Sequence, residues 1–223
     1  MNMWYTSNSW VLLLAVLASS CTTASRDKEK TSRVEVLPYY DEATFTPHWL
    51  NPGEVPRDFH RIPSFSLINQ DGNVVTEEAL DGHVTVVDFF FTSCPGICPK
   101  MTSNMKLVQD AFMQNDLVVI LSHSVTPAYD SVAILKEYAE GKGITKSDWH
   151  LLTGDRSIIY DLGRNQYFVE EDLGLEKDPD DFIHTENFIL IDQKRRIRGI
   201  YNGLNKSDVM QLIADIKTLE KGA

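Results

Sequence analysis

The chain has 223 residues, 43% of them hydrophobic, and carries 32 acidic against 21 basic side chains for a net charge of -11. That length and apolar content suffice for one globular domain with appendages. The acid excess argues against a phosphate-binding surface, which needs a basic stripe, so no nucleic-acid partner is expected.

The first charged side chain is Arg26, and ahead of it lies the apolar run Trp10 to Ala18, WVLLLAVLA. This run is too short to span a bilayer but suits the core of a secretory signal. Ser19 and Ser20, directly before Cys21, resemble a lipobox, the bacterial signal in which the cysteine is lipidated and becomes the new N-terminus. The region before the run lacks Lys and Arg, and Ala18 stands where Leu is commoner, so a plain signal peptide and an uncleaved anchor are the alternatives. The organisation expected is a signal over 1–21, a tether and domain-packing segment over 22–56, and a folded domain over 57–223. Such a protein would be exported and held at the cell membrane, facing the periplasm or the cell exterior.

Thr22 to Val34 mixes charged and small residues and reads as a tether. Tyr39 to Trp49 is too apolar for a free linker and is expected to lie against the domain. Ile62 to Val75 alternates around Asp71-Gly72, a hairpin signal. Thr76 to Leu80 reads as a short turn or helical step. Val84 to Phe91, VTVVDFFF, is rich in β-branched and aromatic residues, as a buried central strand should be.

After Pro99, Met101, Met105, Val108 and Phe112 recur at helical spacing, with the proline suited to the first helical turn. The two methionines fit a core stripe better than thioether ligands. Leu117 to Val125 reads as a second buried strand, Asp130 to Glu140 as an amphipathic helix ending near Gly141 and Gly143, Trp149 to Thr153 as a third strand, and Asp155 to Gly163 as a helix capped by Asp155. An acidic stretch follows, with Glu170, Glu171, Asp172, Glu176, Asp178, Asp180 and Asp181 facing Lys177. It reads as a solvated loop or as a docking surface for a basic partner. Asn187 to Asp192 and Ile197 to Tyr201 form a closing hairpin, and Lys206 to Glu220 a terminal helix. This order predicts an α/β sandwich with a mixed central sheet.

The stretch FTSCPGICP, Phe91 to Pro99, joins the central strand to the first helix and holds Cys94 and Cys98 with three residues between them. With Cys21 assigned to processing, these two thiols have only each other. In an oxidising compartment such a pair is a disulfide, a redox couple or a pair of metal ligands. A structural disulfide would close a very short loop and constrain little. The start of a helix also favours thiolate over thiol. Asp88, six residues before Cys94, can move protons during thiol exchange if buried, or be a hydrogen-bonded structural carboxylate.

Cys94-Pro95-Gly96-Ile97-Cys98-Pro99, together with His184 just before the strand Asn187 to Asp192 and the closing hairpin and helix, resembles the Sco/SenC family of the thioredoxin-like superfamily. Its members are copper-binding assembly proteins for cytochrome c oxidase. The similarity covers roughly Pro63 to Leu219 and implies a thioredoxin-like fold with Cys94, Cys98 and His184 as a copper site. Soft thiolates prefer Cu(I) while imidazole serves either copper state, so such a set can hold Cu(I) or Cu(II).

His123, at the end of a predicted strand, is a competing third ligand, whereas His48, His60, His83 and His150 read as surface or edge residues. Two positions depart from the family pattern: Ile183 stands where Asp commonly precedes the histidine, and SHSVTPAYD lacks the usual Asp-Pro pair. The resemblance implies a copper-receiving oxidase subunit or another thiol client as partner, and membrane attachment through lipid on Cys21. The competing reading is a thiol-disulfide oxidoreductase in which Cys94 attacks, Cys98 resolves and Asp88 accepts protons. A copper-dependent redox sensor is a third.

Overall fold

The computed structural model describes Met1, Met3, residues 31–170, Ile183 and residues 185–221. Strands β1 (Ser66–Asn69) and β2 (Val74–Thr76) form the expected hairpin, with Gly72 supplying the positive φ of 79° in its turn. A 3-10 turn, Glu77–Leu80, leads into β3 (Val84–Phe90), all of whose residues are buried, as a central strand covered on both faces requires. There follow α1 (Cys98–Ala111), β4 (Val118–Ser124), α2 (Val132–Lys142), β5 (Trp149–Thr153) and α3 (Arg156–Asp161). Strands β6 (Asn187–Ile191) and β7 (Ile197–Asn202) and the terminal helix α4 (Lys206–Lys221) complete the fold.

The seven strands make one sheet in the order β2-β1-β5-β4-β3-β6-β7. Strands β3, β4 and β5 run parallel, while β6 lies antiparallel to β3 and β1 antiparallel to β5. This is the mixed α/β sandwich the element order predicts. Side chains alternate across each strand, so the sheet divides the core into two layers. Val84, Val86, Phe90, Val118, Ile120 and Trp149 face the layer covered by α1, α2 and α4. Val87, Phe89, Val119, Leu121 and Leu152 face the layer closed by α3, the Ile62 to Phe65 segment and Ile183.

Two elements depart locally from the sequence pattern. Helix α2 starts at Val132 because Ser131, not Asp130, is its cap and accepts the Ile134 N–H; the fully buried Asp130 turns inward instead. Helix α3 does not stop near Gly163 but widens into a π-helical turn, Leu162–Gln166, that delivers Tyr167 into the core.

The segment before the domain also makes contacts. Tyr40 pairs with Ile197, and the buried Arg198 guanidinium donates to the Leu37 and Pro38 carbonyls while lying 3.8 Å from the Tyr39 ring centre. Trp49, by contrast, is 62% exposed. The apolar run Trp10 to Ala18, Cys21 and the acidic residues Glu171 to Asp181 lie outside the described residues. Among the described residues no helix is long and apolar enough to cross a membrane.

Candidate functional site

The chain leaves the sheet at the C-terminal end of β3 and returns as α1, so the cysteine loop sits where parallel strands meet a helix N-terminus. Phe91, at the exit, packs against both core layers. Cys98 is the first helical residue with Pro99 behind it, the position where a missing N–H costs nothing. Cys98 is 4% exposed while Cys94 is half-buried in the loop, and both are free thiols.

The Cys98 thiol donates a hydrogen bond to the Cys94 sulfur, and this splits the pair. Burial alone would push Cys94 up, but the Cys98 thiol and the backbone N–H groups of Cys98, Gly96 and Ile97 outweigh it and hold Cys94 below the ordinary thiol range. Burial, its donation to Cys94 and the nearby charges of Cys94 and Asp88 push Cys98 up to about 12. Cys94 is therefore the more acidic thiol and Cys98 the one that holds its proton.

Asp88 is buried beneath this pair. It lies between Val86 and Phe90 on β3, hence on the α1 side, and burial pushes its carboxyl up to about 7 although the Ser122 hydroxyl donates to it. Ser122, directly across the ladder from Asp88, in turn accepts the Trp149 indole N–H at 2.9 Å. This chain of buried donors was not apparent in the sequence, because nothing in LVVILSHSV distinguishes Ser122 from Ser124 until register is known.

His123 is on the wrong face for a ligand. Sheet alternation puts it between Leu121 and Val125 in the layer opposite α1, where it stacks on Phe89 at 4.9 Å and meets the Tyr167 ring at 5.4 Å. Both of its ring nitrogens are buried without a well-formed hydrogen bond, and burial, only partly offset by the nearby Asp88 and Leu121 backbone, pulls the imidazole down to about 3. The candidacy of His123 as third ligand is therefore corrected: it is a neutral core residue. Met101 and Met105 are 1% and 0% exposed in the α1 core.

His184 lies outside the described residues. Its neighbours are described. Ile183 is 3% exposed in the far layer, and the Thr185 hydroxyl donates to the Val169 carbonyl at 2.7 Å and accepts the Asn187 N–H at 3.0 Å. The pairing of Val87 with Ile189 sets the start of β6 beside the end of β3, the end from which the cysteine loop departs. Among the described residues no group of three His, Cys, Asp or Glu is placed to hold a metal ion. Two hydrogen-bonded sulfurs at a helix start do match the soft donor set that Cu(I) prefers.

Sequence reasoning also missed Asp130. Its carboxylate accepts from the Thr92 N–H at 3.2 Å, the Thr92 hydroxyl at 2.5 Å, the Ser124 hydroxyl at 2.6 Å and the Thr126 hydroxyl at 2.9 Å. The only sequence signal is an Asp placed one residue ahead of the Ser131 helix cap.

The SCO1/SenC family model matches residues 55–221 of the chain. A SCO1/SenC family lipoprotein from Bacillus anthracis str. Ames is similar in structure, with a TM-score of 0.63 and 31% identity over 72% of this chain and 95% of that one. BsSco, a member of the Sco family of cytochrome c oxidase assembly proteins in which a disulfide switch was identified, gives 0.62 and 31% over 73% and 94%. Bradyrhizobium japonicum ScoI with copper bound gives 0.56 and 27% over 71% and 99%. The sheet and helices thus have the thioredoxin-like arrangement of these Sco structures. With the family pattern covering residues 55–221, every element from β1 to α4, the chain belongs to the SCO1/SenC family.

Proposed function

We propose that this protein is a membrane-tethered copper-binding protein that assists assembly of the dinuclear copper (CuA) centre of a respiratory cytochrome c oxidase. Cys94 and Cys98 supply thiolates, His184 supplies an imidazole, and copper is the cargo. Lipid on Cys21 holds the domain at the cell membrane, facing the periplasm or the cell exterior, where an oxidase subunit or another thiol client meets it.

The observation that carries this reading is the pair of free, mutually hydrogen-bonded thiols at the start of α1, at the same end of the sheet as the start of β6. The copper-bound ScoI and the lipoprotein relative support the copper and lipid assignments. Cu(I) needs its sulfurs deprotonated, so loading releases protons and affinity rises with pH. Cys94 starts below the ordinary thiol range, and Cys98 is the thiol that must give up its proton on binding.

A specific observation also favours thiol-disulfide exchange: a buried carboxyl near neutrality on the cysteine face. There Cys94 attacks a client disulfide, Cys98 resolves the mixed disulfide, and Asp88 accepts the Cys98 proton.

Anaerobic titration with Cu(I) and Cu(II) separates the readings. Cys94→Ser, Cys98→Ser and His184→Ala are each expected to lose stoichiometric, tight binding. Parent-like copper affinity in His184→Ala would falsify the ligand assignment. Turnover of a disulfide substrate that survives His184→Ala and fails in Asp88→Asn would favour the exchange enzyme. Mass spectrometry of the mature N-terminus tests the tether, since an unmodified Cys21 rules out lipidation.

A further inference from the structure

We propose that Asp130 is a positioning residue of the dithiol site, fixing the start of the cysteine loop through Thr92. The proposal rests on the reading of Cys94 and Cys98 as the working pair, and deepens it.

Asp130 has no exposed surface, and none of the ion pairs among the described residues includes it. A buried carboxylate without a cation must be compensated by hydrogen bonds. Its donors come from two separate segments: Thr92 in the cysteine loop, and Ser124 at the end of β4 with Thr126 in the loop after it. Thr92 gives both its backbone N–H and its hydroxyl, one to each carboxylate oxygen. Two bonds from one residue fix its orientation as well as its position, and Thr92 stands two residues before Cys94.

From Gly96 to Cys98 the loop is held by its own donors to the Cys94 sulfur, so Thr92 is the tie from the loop's start to the β4 side. Ser93, Pro95, Gly96 and Ile97 are exposed, and the Cys94 N–H reaches back only to the Phe91 carbonyl, at 3.3 Å. The last ladder bond between the strands is Val125 N–H to Phe90 O at 2.9 Å. Beyond it, Asp130 continues the connection between β3 and β4 with side chains in place of backbone. The consequence is a raised effective concentration of Cys94 at Cys98. Any product that needs both sulfurs together, a disulfide or a two-thiolate copper complex, gains from that placement.

The test is equilibration of the full chain with reduced and oxidised glutathione. Each intramolecular disulfide formed from Cys94 and Cys98 consumes one glutathione disulfide and yields two glutathione thiols, so the equilibrium constant reads the effective concentration directly. Asp130→Asn keeps the side-chain size but leaves one acceptor oxygen, and is expected to lower that constant about tenfold, about 30 mV for the two-electron couple. Cu(I) affinity should fall in parallel. Thr92→Val, which removes one hydroxyl donor and no charge, should shift both in the same direction by about threefold.

Gln109→Ala is the control. Gln109 is buried and accepts the Thr145 and Lys146 N–H groups near the opposite end of α1, so its loss lowers the melting temperature without touching the loop. Parent-like constants in both Asp130→Asn and Thr92→Val would overturn the proposal. So would an equal shift in Gln109→Ala, which would mark the effect as general loosening. A parent that takes up no Cu(I) overturns the copper reading alone, because the glutathione equilibrium still decides this one.

Discussion

Asp88 offers the sharpest quantitative test. In the unfolded chain its carboxyl titrates near 3.8, and in the fold burial pushes it up to about 7. Between those values the folded protein holds a proton that the unfolded chain has lost. Stability from this group is therefore complete below about pH 4 and falls as pH rises, by about 1.4 kcal/mol per unit, until the folded carboxyl itself ionises near pH 7. The full loss is about 4 kcal/mol, a large fraction of the 5–15 kcal/mol typical of a domain.

Asp88→Asn removes the titration while keeping an acceptor for the Ser122 hydroxyl. The variant is expected to gain on the parent steadily from pH 4 upward and to be about 4 kcal/mol further ahead at pH 8 than at pH 4. Urea unfolding curves of both proteins at a series of pH values, followed by circular dichroism, measure this difference. Groups held low in the fold, such as Glu77 and Asp81, titrate alike in both proteins and cancel. Parallel stability curves for parent and variant would refute the reasoning, since they would mean the carboxyl ionises in the fold as it does in water.

Two further outcomes follow from the same geometry. Iodoacetamide at neutral pH should alkylate Cys94 at least about tenfold faster than Cys98, because Cys94 is the more exposed and is held below the ordinary thiol range while burial pushes Cys98 up to about 12. Peptide mapping by mass spectrometry reads the ratio, and equal rates would contradict the split. His123→Phe should leave Cu(I) affinity unchanged and cost less than about 1 kcal/mol at pH 7, since it replaces two buried ring nitrogens that lack a well-formed hydrogen bond with apolar surface. Its imidazole, ordinarily near 6.5, is pulled down to about 3 by burial, so below pH 6.5 the unfolded chain binds a proton the fold refuses. The parent should thus lose stability between about pH 6 and pH 3 relative to His123→Phe, and thermal melts at pH 7 and pH 5 check the sign.

Much of the scaffold was written locally. Apolar runs, Asp71-Gly72, Pro99 and the Asp155 cap mark where strands, turn and helices begin, because each acts through its own backbone neighbours. The cysteine pair was equally plain, since two thiols with three residues between them can bond to each other or share a ligand. Asp130 was not, and the reason is physical. Its side chain gathers donors from Thr92, 38 residues earlier, and a long-range hydrogen bond leaves no periodicity in the sequence. The π-helical turn after α3 was hidden for a related reason: Gly163 reads as a helix stop. In the fold a Cβ there would come within 2.8 Å of Ile183 and 3.1 Å of Phe89, so the position is glycine to admit those neighbours, not to end the helix.

The strand period also decides how chemistry and support share the sheet. Asp88 and Phe89 are adjacent on β3, as are Ser122 and His123 on β4, and the ladder pairs Asp88 with Ser122 and Phe89 with His123. Each pair is sent to a different layer. The Asp88–Ser122 pair meets α1 and the thiols, where a carboxyl near neutrality is useful. The Phe89–His123 pair meets Tyr167 and the apolar wall that includes Ile183. An Asp at position 183 would bury a charge in that wall at a cost of several kcal/mol. Isoleucine there keeps the segment entering β6 packed down on one side while Thr185 ties it to Val169 on the other. A slip of one residue in β4 would exchange the two sets, placing an imidazole under Cys98 and a serine in the aromatic stack, so it is the register of β3 against β4 that keeps the proton-carrying groups with the sulfurs.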